Sequence, residues 1–166
     1  MKKKWFLPLG ILAVLVLAAL IYTRPMPLEA LCEADVTQCQ SVFGYHFRAP
    51  QAEDTRFAFP ADDARCAQLT ALFAQQKFRR SLANLLPQGG TTHRTQDGDF
   101  RWEVGFCFDE TDFPDGSTGK GVFVQCRSFY GRLSLFRAYD GKSFRCTVQD
   151  QDAFLQQVYG IISSEP

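Results

Sequence analysis

Six cysteines, two histidines and a set of arginines interleaved with phenylalanines are the residues of this chain whose types could support chemistry. Cys32 and Cys39 enclose six residues, which is not the C-x-x-C spacing of zinc or thioredoxin-like sites, and no histidine lies close by in sequence. A local disulfide between Cys32 and Cys39 is therefore expected ahead of free thiols, and no metal or cofactor is expected there. His46, inside SVFGYHFR, reads as a core or edge histidine because no partner motif surrounds it. His93 stands in a polar Gly-Thr loop, and residue type alone would let it serve Cys107 as a base, though nothing in the spacing asks for it. No G-x-S-x-G, H-E-x-x-H or phosphate-loop pattern occurs, so no catalytic residue is assigned and the chain is not expected to be an enzyme. The acidic run Asp109, Glu110, Asp112 and Asp115 fails the EF-hand spacing when Gly116 is set at the sixth position, leaving a solvated hairpin loop.

The elements that must carry these residues are clearest in the second half of the chain. Phe100, Trp102, Val104, Phe106 and Phe108 alternate with Arg101, Glu103, Gly105 and Cys107, the pattern of a half-buried strand. GVFVQCRSF, RLSLFRAY and KSFRCTV come next, with turns at Tyr130-Gly131 and Asp140-Gly141, and together they read as an antiparallel meander. SVFGYHFR and TRFAF add aromatic-rich strand candidates. A helix is predicted from the Pro60, Asp62, Asp63 start signal to about Gln76, with Cys66, Leu69, Leu72 and Phe73 on one face. The apolar phase breaks near Lys77, so that either a kink occurs there or KFRRSLA leaves the helix. A final helix from Asp150 to Ser163 carries Phe154, Leu155, Val158, Ile161 and Ile162 on one face, with Asp150 as its N-cap. The expected fold class is α+β: an N-terminal transmembrane signal-anchor helix, then one domain with a four- to five-stranded antiparallel meander sheet covered on one face by helices.

Strand parity sorts the remaining chemistry onto two faces. Cys126 and Cys146 fall on the helix side, about 9–10 Å apart across an intervening strand, too far for a disulfide that needs Cα atoms within about 7 Å. Either Cys66 pairs with one of them or they are buried thiols; Cys107 falls on the other side. That other side is the candidate ligand or partner face: Arg101, Phe123, Arg127, Phe129, Arg132, Phe136 and Arg145. Guanidinium forks backed by rings suit a carboxylate or phosphate, whereas a plain solvated face would pair its arginines with Glu103 or stack them across strands.

At the N-terminus, Trp5 to Tyr22 is eighteen residues without a charge, headed by Lys2, Lys3 and Lys4. Its reach of about 27 Å nearly matches a hydrocarbon core of about 30 Å, and the lysines favour export of the downstream chain. The expected organisation is a cytoplasmic head 1–4, an anchor 5–22, a stalk 23–40 and an extracytoplasmic domain 41–166, single-pass in a membrane, or secreted if the segment is cleaved. Lys2, Lys3, Lys4 and Arg24 are four of the eighteen basic residues, leaving fourteen against eighteen acidic from Pro25 onward, a net charge of −4. A mildly acidic domain gives no electrostatic case for nucleic acid. The functional expectation is a non-catalytic, membrane-tethered module that binds an extracytoplasmic protein or an anionic ligand, with a small cell-envelope enzyme or thiol-redox protein using Cys107 as the alternative.

Overall fold

In the computed structural model, which describes residues 6–50, 53–86, 96–108, 111–112, 118–119, 122–129, 131–137 and 140–164, the N-terminal apolar run forms the helix α1, Phe6–Tyr22. Thr23 ends it by returning both its N–H and its hydroxyl to the Ala19 carbonyl, at 2.9 and 2.8 Å, and Pro25 lies just beyond. Its 17 residues reach about 26 Å, short of a hydrocarbon core of about 30 Å. Among the described residues no helix is long and apolar enough to cross a membrane. The expectation of a transmembrane signal-anchor at Trp5 to Tyr22, and of a single-pass membrane protein placed by it, is corrected on that ground. Nothing in the fold establishes secretion in its place.

The chain then runs β1 (Met26–Pro27), α2 (Leu28–Cys32), a 3-10 turn at Val36–Gln38, β2 (Ser41–Arg48), β3 (Thr55–Pro60), α3 (Ala64–Gln75) and β4 (Lys77–Arg80). A second 3-10 turn at Leu82–Leu85 leads to β5 (Phe100–Phe108), the short pair β6 (Thr111–Asp112) and β7 (Thr118–Gly119), then β8 (Val122–Phe129), β9 (Arg132–Arg137), β10 (Lys142–Val148) and α4 (Gln151–Ile162). Eight strands make one sheet in the order β1-β4-β10-β9-β8-β5-β2-β3, with every neighbouring pair antiparallel. The sheet therefore has eight strands where four to five were expected. β2 and β3 extend it beyond β5, and β4 and β1 extend it beyond β10. The break in apolar phase at Lys77 has a structural cause: α3 stops at Gln75, and Lys77–Arg80 pairs with β10 as a strand.

Local chemistry explains the boundaries. The Asp63 carboxylate accepts the Arg65 N–H at 2.8 Å and caps α3. Asp150 occupies the corresponding position of α4, but its backbone is left-handed (φ 49°) and its side chain makes no cap hydrogen bond. Gly141, at φ 65°, supplies the left-handed residue of the β9–β10 turn. Between β2 and β5 the backbones approach so closely at Gly44 that a Cβ there would collide with the Glu103 carbonyl.

The helices cover one side of the sheet, and phenylalanines fill the space. Phe73 of α3 is fully buried, edge-on to Phe106 at 5.0 Å, Phe154 at 5.2 Å and Trp102 at 6.3 Å, and stacked on Phe78 at 6.3 Å. Trp102 completes the joint by donating its indole N–H to the Leu155 carbonyl of α4 at 3.3 Å. The segment 23–40 contributes to this core as well, through Leu28, Leu31, Cys32, Val36 and Cys39. Arg137 secures it: its guanidinium donates to the Leu31 carbonyl at 3.2 Å while pairing with Asp140 at 2.6 Å and Glu33 at 3.4 Å. Phe73→Ala should lower the unfolding free energy by about 3–5 kcal/mol, read from urea denaturation; a loss below about 1 kcal/mol would mean that the ring joint is not central.

Candidate functional site

Alternation along each strand turns the second set of side chains to the face opposite the helices. β2 sends Val42 and His46 inward and Phe43, Tyr45 and Phe47 outward, while β5 sends Trp102, Val104 and Phe106 inward and Arg101, Glu103 and Cys107 outward. The register aligns these residues in rows. Tyr45, Glu103, Arg127, Ser134 and Arg145 form one row, and Phe47, Arg101, Phe129 and Arg132 form the next. Phe43, Gly105, Gln125, Phe136 and Ser143 form a third, in which the Phe43 ring lies over Gly105. Of the expected face residues, Arg101, Arg127, Phe129, Arg132, Phe136 and Arg145 thus share one surface. Phe123 pairs with Cys107 in the backbone register.

Arg101 and Arg127 each have a carboxylate partner. Arg101 pairs with Asp54 at 3.0 Å and lies over the Phe47 ring at 4.7 Å. Arg127 pairs with Glu103 through Nε and donates to the Gln125 side chain at 3.0 Å. Tyr45 also donates to Glu103, at 3.3 Å; burial and then the neighbouring carboxylate raise the phenol pKa above its ordinary value. The β2–β5–β8 half of the face is thus charge-compensated around one nearly buried carboxylate. The other half differs, because β4, β9 and β10 contain no acidic residue, and their outward positions include Lys77, Arg79, Arg132 and Arg145. Arg79 lies opposite Thr147 of β10, beside the row that ends at Arg145. Sequence reasoning missed Lys77 and Arg79 because KFRR has a single apolar residue, too little to reveal a strand; the phase break at Lys77 was the available signal.

The thiols fall into two groups. All six cysteines are free, five buried and Cys107 half-buried. Cys32, the last residue of α2, lies near Cys126 and Cys146, and Cys39, at the end of the 3-10 turn, lies near Cys66 of α3. Burial pushes the Cys32 and Cys39 thiols up to about 12 and raises those of Cys66, Cys126 and Cys146. His46 gives Cys107 no base, since it is on the helix side, edge-on to Tyr159 at 5.5 Å with Nδ1 buried and unbonded. Burial lowers its pKa, and Asp54 opposes that shift. His93 lies outside the described residues, as do Asp109, Glu110 and Asp115 of the acidic loop; Asp112 pairs with Thr118 in β6–β7.

A cleft of about 490 Å³ between the end of α3 and the start of α4 is lined by Gln75, Gln76, Gln149 and Gln157 with Lys77 and Asp150. It holds no nucleophile with a base. Among the described residues no group of three or more His, Cys, Asp or Glu side chains is placed to hold a metal ion. No protein-family model, curated protein or solved structure matches this chain significantly.

Native reduced protein exposed to a maleimide near neutral pH should label Cys107 quickly and the other five cysteines only on unfolding. Rapid labelling of any buried thiol, read by peptide mass mapping, would contradict a closed core. His46 predicts a pH dependence. Its depressed folded value makes its contribution to stability complete above the ordinary imidazole value near about 6.5 and lost as pH falls through the folded value. The urea midpoint should therefore drop between about pH 7 and about pH 5, and His46→Phe should flatten that drop.

Proposed function

We propose that this chain is a non-catalytic binding module whose open sheet face takes an acidic protein or peptide segment. The observation that carries this reading is the acid-free block β4-β10-β9-β8, which sets Arg79, Arg127, Arg132 and Arg145 on one face of a domain whose net charge from Pro25 onward is −4. Guanidinium groups present planar forks that match carboxylates in bidentate geometry, and Phe129 and Phe136 on the same surface add apolar contact area. Glu103 compensates one of these arginines, so its carboxylate is the group that an incoming acidic side chain would displace.

The fold supports recognition more than catalysis, since a rigid, paired sheet holds its side chains in fixed rows without enclosing a substrate. The alternative, an enzyme or thiol protein built on Cys107, has no base beside that thiol among the described residues.

The test is titration of the protein with fluorescent polyglutamate at low salt. Arg132→Ser combined with Arg145→Ser should weaken binding about tenfold, or about 1.4 kcal/mol, and added salt should weaken the wild type in the same direction. Arg48→Ser, on the helix side, should leave binding unchanged. Equal affinity for the wild type and the double variant would refute the proposed face.

A further inference from the structure

Two exposed apolar elements, far apart in sequence, leave the same corner of the sheet. β1 pairs antiparallel with β4, Met26 opposite Phe78 and Pro27 opposite Lys77, so the end of α1 arrives where β4 ends. There the Arg80 guanidinium lies over the Tyr22 ring at 5.8 Å and over the Phe144 ring at 5.4 Å. The 3-10 turn Leu82–Leu85 departs from the same point, capped by Ser81. Its polar residues fasten it to the backbone of β10: the Ser81 N–H donates to the Arg145 carbonyl at 3.0 Å, and the Asn84 amide donates to that carbonyl at 2.9 Å and accepts the Arg145 N–H at 2.7 Å. Leu82, Leu85 and Leu86 are left 47%, 66% and 67% exposed. Among the described residues, the exposed large apolar side chains outside α1 are these three and Phe129.

The composition of both elements says what covers them. Leu9, Ile11, Leu12, Val14 and Leu17 are each more than half exposed, and at about 100° per residue they point all around α1. A second copy of the chain would cover one stripe of such a helix, whereas acyl chains surround it. The boundary of this apolar surface is basic and aromatic, with Arg24 exposed and Arg80 stacked on Tyr22, and residues 6–28 and 77–86 include no acidic side chain. Arginine and tyrosine in this position suit the level of anionic headgroups, their apolar parts facing the acyl layer.

We propose that Leu82, Leu85 and Leu86 dock together with α1 on an anionic lipid surface, with the leucines among the acyl chains and Arg24 and Arg80 at the headgroup phosphates. Docking from one side asks for no crossing helix, in keeping with the length of α1. The surface is separate from the rows that carry Arg132 and Arg145, so the chain can meet lipid and an acidic segment at different places.

The full chain, diluted from detergent into equimolar phosphatidylcholine–phosphatidylglycerol vesicles, provides the test. Leu85→Trp should add fluorescence that lipids brominated on their acyl chains quench, with the wild type giving the background from Trp5 and Trp102. Leu82→Ser, Leu85→Ser and Leu86→Ser combined should weaken vesicle partitioning by about tenfold or more with the urea midpoint unchanged, because all three side chains are exposed. Arg24→Ser should weaken partitioning on these vesicles and not on pure phosphatidylcholine. Arg132→Ser with Arg145→Ser should partition like the wild type, which separates failure of the acidic-segment reading from failure of this one. Unquenched fluorescence at position 85, or equal partitioning of the triple variant and the wild type, would overturn the lipid contact. Self-association that the triple variant loses, in a wild type that ignores vesicles, would overturn it in favour of a second copy.

Discussion

Burial of one side of an eight-stranded antiparallel sheet beneath α3 and α4 is the constraint on which the rest of this molecule depends. The joint is made by rings: Phe73 meets Trp102, Phe106, Phe78 and Phe154, so a single side chain of α3 touches three strands or helices at once. Edge-to-face pairs of this kind add about 0.5–1.5 kcal/mol each beyond area burial, and they hold only when the backbone beneath is regular. The sheet supplies that regularity, because every pair of neighbouring strands is antiparallel and the side chains alternate strictly between two faces.

Once one face is dry, the other must carry whatever the strands have left, and its charge pattern reflects where acids occur. Glu103 is the one carboxylate set in its middle rows, 9% exposed and satisfied by Arg127 and Tyr45. A nearly buried carboxylate needs such partners, since an unpaired charge at that depth would cost several kcal/mol, on the order of the penalties for buried ions. Beyond it, the strands β8, β9, β10 and β4 carry basic residues and no acidic ones.

The thiols illustrate the same packing from the inside. Sulfur is small and polarisable, so cysteine fits where rings leave narrow gaps, and burial raises the thiol pKa wherever water is excluded. Cys107 differs because it faces the open side. Position relative to the sheet, and no local motif, separates the thiol that solvent can reach from those it cannot.

Much of this could be read from residues alone. The alternation from Phe100 to Phe108, the Asp140-Gly141 turn, and the helical spacing of Leu69 and Phe73 or of Phe154, Val158 and Ile162 each report a local periodicity that backbone geometry imposes. Strand count was not legible, since β1 is two residues long and β4 is KFRR; neither has enough period to reveal itself, and each is a strand only because the edge of β10 and then of β4 was open to it. The end of α1 at Tyr22 coincides with the end of the apolar run, where Thr23 returns its N–H and hydroxyl to the Ala19 carbonyl. The sequence by itself determined which residues could face together along one strand or helix, because period is a local property. Tertiary structure alone decided which strands adjoin and that Arg79 joins the face of Arg145, because those neighbours come from distant segments whose approach depends on how the whole sheet closes over one core.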